Sequence, residues 1–140
     1  MKAAVIYWSG TGNTEAMANA VADGMRAKGA EVTLYTPSDI DAGAVKSCSA
    51  VALGCPAMGA EVLEETEFQP MWDDIKSSLN GKRVGLFGSY GWGDGEWMRS
   101  WEADASDAGI GLAAESVMAN NAPDDDALAK CKALGEALCA

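Results

Sequence analysis

Short apolar runs alternate along the chain with longer stretches in which apolar positions recur at helical spacing. The helical stretches predict helices over residues 14–28, 64–79, 95–108 and 125–138, and Lys28-Gly29 is a stop signal for the first of them. The apolar runs predict strands over residues 3–8, 32–35, 50–54, 83–88 and 111–118. Strands and helices are therefore expected to alternate through the chain.

Three of these runs, over 3–8, 50–54 and 83–88, are apolar throughout instead of alternating between apolar and polar residues. That pattern is typical of parallel strands whose sheet is covered by helices on both faces. It predicts an α/β fold, with an open, doubly wound, five-stranded parallel sheet inside a three-layer sandwich. The 140 residues fit one domain over 1–140, and this length favours the strand order 2-1-3-4-5 over a six-stranded alternative.

Composition narrows the partners and the chemistry. With 21 acidic and 10 basic residues the chain has a net charge of −11, which argues against nucleic acid as a partner. No run approaches the length of a membrane span and the N-terminus lacks a signal-peptide layout, so we expect a cytoplasmic protein without membrane partners. Because the chain has no His and its four cysteines are scattered, metal ligation and His-dependent nucleophilic catalysis are disfavoured.

Three loops that each follow an apolar strand carry the candidate chemistry. The first reads Ser9-Gly10-Thr11-Gly12-Asn13-Thr14 and precedes a helix. This pattern favours an anion held by backbone amides and neutral side-chain donors. The loop lacks the Lys of a P-loop, and Glu15 stands where a dinucleotide motif has its third glycine, which favours a terminal monophosphate.

The second and third loops favour a flat aromatic ligand. They read Cys55-Pro56-Ala57-Met58-Gly59-Ala60-Glu61 and Ser89-Tyr90-Gly91-Trp92-Gly93-Asp94-Gly95-Glu96-Trp97. A Trp between two glycines is poorly explained by core packing, whereas a flat ring would stack on it, and Met58 is polarizable enough to cover the other face. A flat ring joined to a monophosphate describes FMN.

The other tryptophans fall in regular elements of the pattern. Trp8, Trp72 and Trp101 lie in strand or helix patterns, and we predict that they are core residues. Trp97 fits either the core or the site, since it lies where the third loop meets the next helix.

Residues Tyr7–Glu15, Gly54–Gly59 and Gly88–Gly93 resemble the corresponding loops of short-chain flavodoxins from anaerobic bacteria, in the same order and at suitable spacing. The resemblance implies a flavodoxin-like fold with FMN at the junction of strands one and three, and flavodoxins are the standard example of this placement. It also implies that the FMN phosphate is held, through side chains and backbone amides, by Ser9, Thr11, Asn13 and Thr14.

The same resemblance assigns residues to the flavin ring. It implies that Trp92 stacks on one face, that Met58 borders the other and that Glu61 accepts a hydrogen bond from the ring N3–H. The Gly59 carbonyl is expected to turn toward N5 in the neutral semiquinone. We expect Ala60 to favour this arrangement, because a side chain at the second central position disfavours the alternative type II turn.

Four further positions receive weaker assignments. Ser89 and Gly91 are expected to line the ring and ribitol side of the cofactor. Asn121 occupies a loop that approaches the flavin in relatives. Pro56 stands where other members have a hydroxyl that helps to bind the phosphate, so one hydrogen bond is missing there.

The resemblance implies a low-potential one-electron carrier, not an enzyme. It would cycle FMN mainly between the neutral semiquinone and the anionic hydroquinone and pass electrons between redox enzymes as a monomer. Acidic residues near the loops would lower the flavin potential and dock basic surfaces on reductases or ferredoxin-dependent enzymes, although ordinary solvated helix ends explain these residues equally well. These residues are Glu61, Glu64, Glu65, Asp94 and Glu96.

An FMN-dependent reductase of quinones or of a small substrate is the alternative. Such an enzyme usually needs a pocket for a nicotinamide or a substrate and a longer chain, and no such motif is visible in the sequence.

Overall fold

The computed structural model describes residues 1–40, 42–59, 61–91 and 93–140. The strands are β1 (Lys2–Tyr7), β2 (Glu31–Tyr35), β3 (Ala50–Gly54), β4 (Arg83–Tyr90) and β5 (Val117–Asn120). The helices are α1 (Asn13–Ala27), α2 (Ala42–Lys46), α3 (Phe68–Ile75), α4 (Glu96–Asp107) and α5 (Asp125–Leu138), and a 3₁₀ turn, Lys76–Leu79, follows α3 directly.

The five strands form one sheet in the order β2-β1-β3-β4-β5, and every pair is parallel. The predicted architecture and strand order are therefore confirmed. Side chains alternate between two apolar layers, one on each face of the sheet. Trp72 and Trp101 belong to the layer under α3 and α4, whereas Met17, Val21 and Leu134 belong to the layer under α1 and α5.

Three elements differ from the prediction. The helix expected over 64–79 begins only at Phe68 and tightens into the 3₁₀ turn after Ile75. The fifth strand covers Val117–Asn120 instead of 111–118, because residues 111–116 are exposed or half-buried and contribute only an isolated bridge near their start. Helix α2 was not predicted, since it has five residues and only one of them is buried, too few for a periodic signal.

Two glycines allow α1 and α5 to cross at backbone contact. A Cβ atom on Gly24 would lie 2.0 Å from the Lys132 carbonyl oxygen, and one on Gly135 would lie 2.0 Å from the Val21 carbonyl oxygen. Only glycine permits so close an approach of two helices. The crossing fixes α1, whose N-terminus meets the first candidate loop, against the rest of the fold.

Candidate functional site

A cavity of about 280 Å³ opens at the carboxyl ends of β1, β3 and β4. Its position is the switch point of the sheet, where β1 pairs with β2 on one side and β3 on the other. All three predicted loops contribute to its lining, which consists of Trp8, Gly10, Thr11, Asn13, Pro56, Ala57, Met58, Ser89, Tyr90, Gly91 and Asn121. A larger cavity of about 420 Å³ lies between β5 and α5 and is lined by none of the predicted residues.

Six further predicted residues lie on the same three loops but do not line the cavity of 280 Å³: Ser9, Gly12, Thr14, Gly59, Glu61 and Gly93. Glu61 lines a separate cavity of about 350 Å³ instead, together with Trp97 and other residues of α3 and α4. Ala60 and Trp92, for which the sequence predicts a turn preference and a stacking role, lie outside the described residues.

The first loop folds around the hydroxyl of Ser9. Ser9 Oγ accepts hydrogen bonds from the amides of Gly12 (3.1 Å) and Glu15 (3.3 Å). Gly12 precedes α1 with a left-handed φ of 92° and has no side chain to cap the helix. Within the described part of the chain, the amides of Asn13 and Thr14 at the start of α1 have no hydrogen-bond partner. The loop therefore offers free amide donors at a helix N-terminus, the arrangement that binds anions.

The first and third loops are joined by a buried hydrogen bond between Thr14 Oγ1 and Ser89 Oγ (3.3 Å). Its two residues are 75 positions apart in the chain, and both are less than 9% exposed. Since each hydroxyl has one proton and this bond uses only one of the two, the pair keeps one further donor.

Trp8, which the sequence placed in the core, packs against the core layer under α3 and α4 and is also a site residue. It is only half-buried and lines the cavity, and a Cβ atom on Gly10 would lie 3.0 Å from its ring. Strand β1 ends at Tyr7, so Trp8 is the first residue past the pleated strand and its ring extends over the glycine loop. Its position directly before that loop is the signal that would have found it.

The second loop continues the sheet pairing before it turns. The amides of Cys55 and Ala57 donate to the carbonyls of Phe87 (3.2 Å) and Ser89 (2.9 Å), which extends the β3–β4 register past Gly54. The chain then reverses, because the Glu61 amide donates to the Met58 carbonyl at 2.8 Å. Met58 is thereby held at the cavity wall.

Glu61 is fixed at the N-terminus of α4. Its Oε2 accepts a hydrogen bond from the Trp97 amide (3.0 Å), in the first turn of that helix. The carboxylate packs against Gly93, where a Cβ atom would lie 2.0 Å from Oε1. Gly93 is therefore required to be a glycine by the position of Glu61 as well as by its own φ of 88°.

Glu64 is not part of an acidic surface, contrary to the sequence-based expectation. Its side chain is buried. Its carboxylate accepts hydrogen bonds from the amides of Thr66 (2.9 Å), Glu67 (2.7 Å) and Phe68 (2.9 Å) and from the Thr66 hydroxyl. Burial raises the pKa of this carboxyl, but the four hydrogen bonds outweigh burial and lower the pKa to about 2. Glu64 is therefore the anion that starts α3.

The acidic residues near the loops, here called the acidic rim, carry less unpaired negative charge than the sequence indicates. Glu65, Asp94 and Glu96 are exposed, but the Arg99 guanidinium lies 2.9 Å from Asp94 Oδ1. The hydrogen bond and charge of Arg99 lower the pKa of Asp94, and Asp94 in turn raises the pKa of Arg99. Glu65 and Glu96 are the exposed acidic residues of this group that form no salt bridge in the described part of the chain.

Cys55 is a structural thiol. It is buried, its Sγ accepts a hydrogen bond from the Glu64 amide (3.3 Å), and burial raises the pKa of the thiol to about 12. A thiol with such a pKa is almost fully protonated at neutral pH and is a poor nucleophile. No group of three or more metal-ligating side chains occurs among the described residues.

We expect iodoacetamide at pH 8 to alkylate Cys55 in the native protein at least about 100-fold more slowly than in the urea-unfolded chain, because so little thiolate is present. Mass spectrometry of tryptic peptides measures both rates in one series. Equal rates in the native and unfolded chains would contradict the structural role.

No helix in the described part of the chain has the length and apolarity needed to cross a membrane.

Comparison with known proteins gives one consistent result. Residues 5–135 match the flavodoxin family. A flavodoxin from Megasphaera elsdenii is 48% identical over 136 residues, 95% of each chain, and one from Clostridium beijerinckii is 44% identical over 121 residues, 86% of this chain and 88% of that one. The solution structure of two-electron reduced Megasphaera elsdenii flavodoxin superposes with a TM-score of 0.90 at 44% identity and covers 98% of each chain.

The site geometry, the sheet order and these relatives agree, and the chain belongs to the flavodoxin family of FMN-binding electron-transfer proteins.

Proposed function

We propose that this protein is a low-potential one-electron carrier in which bound FMN cycles mainly between the neutral semiquinone and the anionic hydroquinone. FMN supplies the one-electron chemistry, and the chain binds the cofactor, orients it and tunes its potential. The observation that carries the proposal is the pair of free amides at the start of α1, Asn13 and Thr14, beside a cavity walled by aromatic and apolar side chains.

The first loop fits a phosphate monoester. Because Ser9 Oγ accepts two amide hydrogen bonds, its own O–H is left to donate toward the cavity. The Asn13 and Thr14 amides and the Thr11 side chain add further donors on the same side of the loop. These are neutral donors, which suit a terminal monophosphate.

The other end of the cavity fits a flat ring. Met58 and Tyr90 line its wall together with Trp8, Ala57 and Gly91. We assign Trp92 to the ring face across from Met58 and the Gly59 carbonyl, with the turn at Ala60, to the ring N5, as the family resemblance implies. Pro56, Ser89 and Asn121 would contact the ribitol and the ring edge.

Glu61 is assigned to the ring N3–H. Its Oε2 already accepts a hydrogen bond from the Trp97 amide, and because each carboxylate oxygen has two lone pairs, the carboxylate can still accept one from the flavin. An acceptor held by a hydrogen bond at a helix N-terminus keeps its direction, which favours a specific hydrogen bond to a ring N–H.

The FMN-free protein should bind FMN tightly and riboflavin at least about 100-fold more weakly, because the phosphate makes several charge-assisted hydrogen bonds worth roughly 1.5–3 kcal/mol each. Fluorescence titration with both flavins measures this ratio, and riboflavin is the matched control. Stepwise anaerobic reduction should then produce the long-wavelength absorption of the neutral semiquinone. Equal affinity for both flavins would contradict the phosphate site, and steady NAD(P)H oxidation would favour the reductase alternative.

We also propose that the exposed acidic rim docks basic surfaces of reductases or ferredoxin-dependent enzymes. Glu65 and Glu96 are exposed on the segments that follow the second and third loops, and the chain has a net charge of −11. Long-range attraction between opposite charges accelerates encounter and is screened by salt. We further propose that residues 1–140 form one FMN-binding domain and that the protein is a monomer in the cytoplasm.

Electron transfer to a basic redox protein such as cytochrome c should slow by about tenfold between 0.05 and 0.5 M salt, because steering depends on ionic strength. Stopped-flow kinetics of the reduced protein measures the rate. Glu65→Gln should reduce the salt dependence, whereas Glu115→Gln, which removes an exposed charge beside β5, should leave it unchanged. A rate independent of salt would rule out docking through the acidic rim.

A further inference from the structure

Trp97 contacts the second loop at both of its ends. It is 1% exposed, in the first turn of α4. Its amide donates to Glu61 Oε2 (3.0 Å), and its indole N–H donates to the Cys55 carbonyl oxygen (3.1 Å). One residue thus holds the first and the last member of the segment Cys55–Glu61. Its ring also lies 5.6 Å, centroid to centroid, from the ring of Tyr90 in the third loop.

The indole–carbonyl hydrogen bond is enclosed by the sheet. A Cβ atom on Gly88 would lie 2.2 Å from the Cys55 carbonyl oxygen and 3.1 Å from the Trp97 ring, so a glycine is required for the two groups to meet. Water does not readily replace a partner in such a place, and loss of the N–H would leave the carbonyl unsatisfied.

The other two buried tryptophans provide matched comparisons. The Trp72 indole N–H donates to Asp104 Oδ2 (2.6 Å), between α3 and α4, and the Trp101 indole nitrogen has no partner among the described residues. Both residues are at most 2% exposed, like Trp97. Substitution by Phe therefore removes a hydrogen bond to the second loop at Trp97, a hydrogen bond between α3 and α4 at Trp72, and no hydrogen bond at Trp101.

We propose that Trp97 is a positioning residue of the FMN site, whose indole N–H, through the Cys55 carbonyl, sets the course of the loop that carries Met58, Gly59 and Glu61. Its amide holds Glu61 directly, so both ends of the loop depend on one side chain and its backbone. This inference rests on the proposed function, because it is there that these loop residues are assigned to the flavin ring.

Hydrogen exchange in the FMN-free protein tests whether Trp97 holds the loop. In Trp97→Phe the amides of Met58 and Glu61, which close the loop's turn, should exchange about tenfold faster relative to the β3 amides. In Trp72→Phe and Trp101→Phe the same ratio should stay within about twofold. Equal acceleration in all three variants would reduce Trp97 to an ordinary core residue and overturn the proposal.

The flavin readout tests whether the held loop matters for the cofactor. In Trp97→Phe, FMN should bind about tenfold more weakly, since a loosened loop must be ordered on binding, and the fraction of one-electron-reduced flavin at half reduction should fall. In Trp72→Phe both quantities should match the wild type although its stability also falls. If Trp97→Phe changes neither quantity, the positioning role is refuted.

If the Trp97→Phe variant does not fold, a measurement on the wild-type protein still tests the proposal. The Trp97 indole N–H and the Met58 and Glu61 amides should be equally protected, each exchange rate being divided by its intrinsic rate, because one opening would expose all three; unequal protection would contradict the proposal. If the wild-type protein does not bind FMN, the proposed function fails, but the exchange comparison still decides whether Trp97 holds the loop.

Discussion

Substitution of Gly135 by Ala is expected to lower the free energy of unfolding by about 2 kcal/mol, a large fraction of the stability of a small domain. The new Cβ atom would lie 2.0 Å from the Val21 carbonyl oxygen, which belongs to the backbone of α1 and cannot rotate away. The helices must therefore separate, and the cost of this overpacking exceeds the gain of about 1 kcal/mol that Ala brings to a helix interior. Urea unfolding of the FMN-free protein, followed by circular dichroism, measures the change.

Gly111→Ala is the matched control for this experiment. No atom lies within 4 Å of a Cβ built at Gly111 and its φ is not positive, so the same substitution should change the stability by less than about 0.5 kcal/mol. Gly24→Ala should resemble Gly135→Ala, and the double variant should lose less than the sum of both, because one separation of the helices relieves both clashes. If Gly135→Ala and Gly111→Ala are equally stable, the helices do not cross at backbone contact.

Glu64→Gln is expected to cost about 2 kcal/mol at pH 7, because one of its two charged acceptor oxygens becomes an amide group that cannot accept from the start of α3. The effect should depend on pH. Because the folded-state pKa of Glu64 is lowered to about 2 from an ordinary value of 4.5, its contribution is fully present above about pH 4.5 and is lost as the pH falls toward 2. The difference between wild type and variant should therefore shrink through this window.

Urea unfolding of the FMN-free proteins at pH 7, 5, 4 and 3 measures that difference. Glu65→Gln serves as the control, since it removes the same charge from the adjacent, exposed position and should cost little at any pH. A Glu64→Gln deficit that stays constant from pH 7 to pH 3 would show that the carboxylate charge does not start α3.

The sequence predicted the sheet and the cavity because their signals are local. Unbroken apolar runs mark the buried parallel strands β1, β3 and β4, and a glycine-rich loop before a helix is recognisable without knowledge of its neighbours. The strand order was predicted from the chain length, and the three loops lie at one edge of the sheet because all strands are parallel.

The features that escaped prediction depend on contacts between distant segments. In the sequence Glu64 is indistinguishable from its acidic neighbours, and only the structure shows that its carboxylate accepts hydrogen bonds from the amides of residues 66–68. Trp97 could not be assigned from its own surroundings, because its partner Cys55 is 42 positions away. Trp8 has a strand-like sequence context, yet the strand ends one residue before it.

The absence of any Lys or Arg from Ser9–Thr14 separates retention of the cofactor from recognition of the partner. Neutral amides and hydroxyls hold an anion by short-range dipoles, which dissolved ions barely screen, whereas the surrounding charge of −11 repels both phosphate and any acidic partner at long range. A rise in ionic strength would therefore weaken the docking proposed above while leaving FMN bound or even favouring its binding. At high salt concentration the protein would therefore retain its FMN but meet its electron acceptor less often.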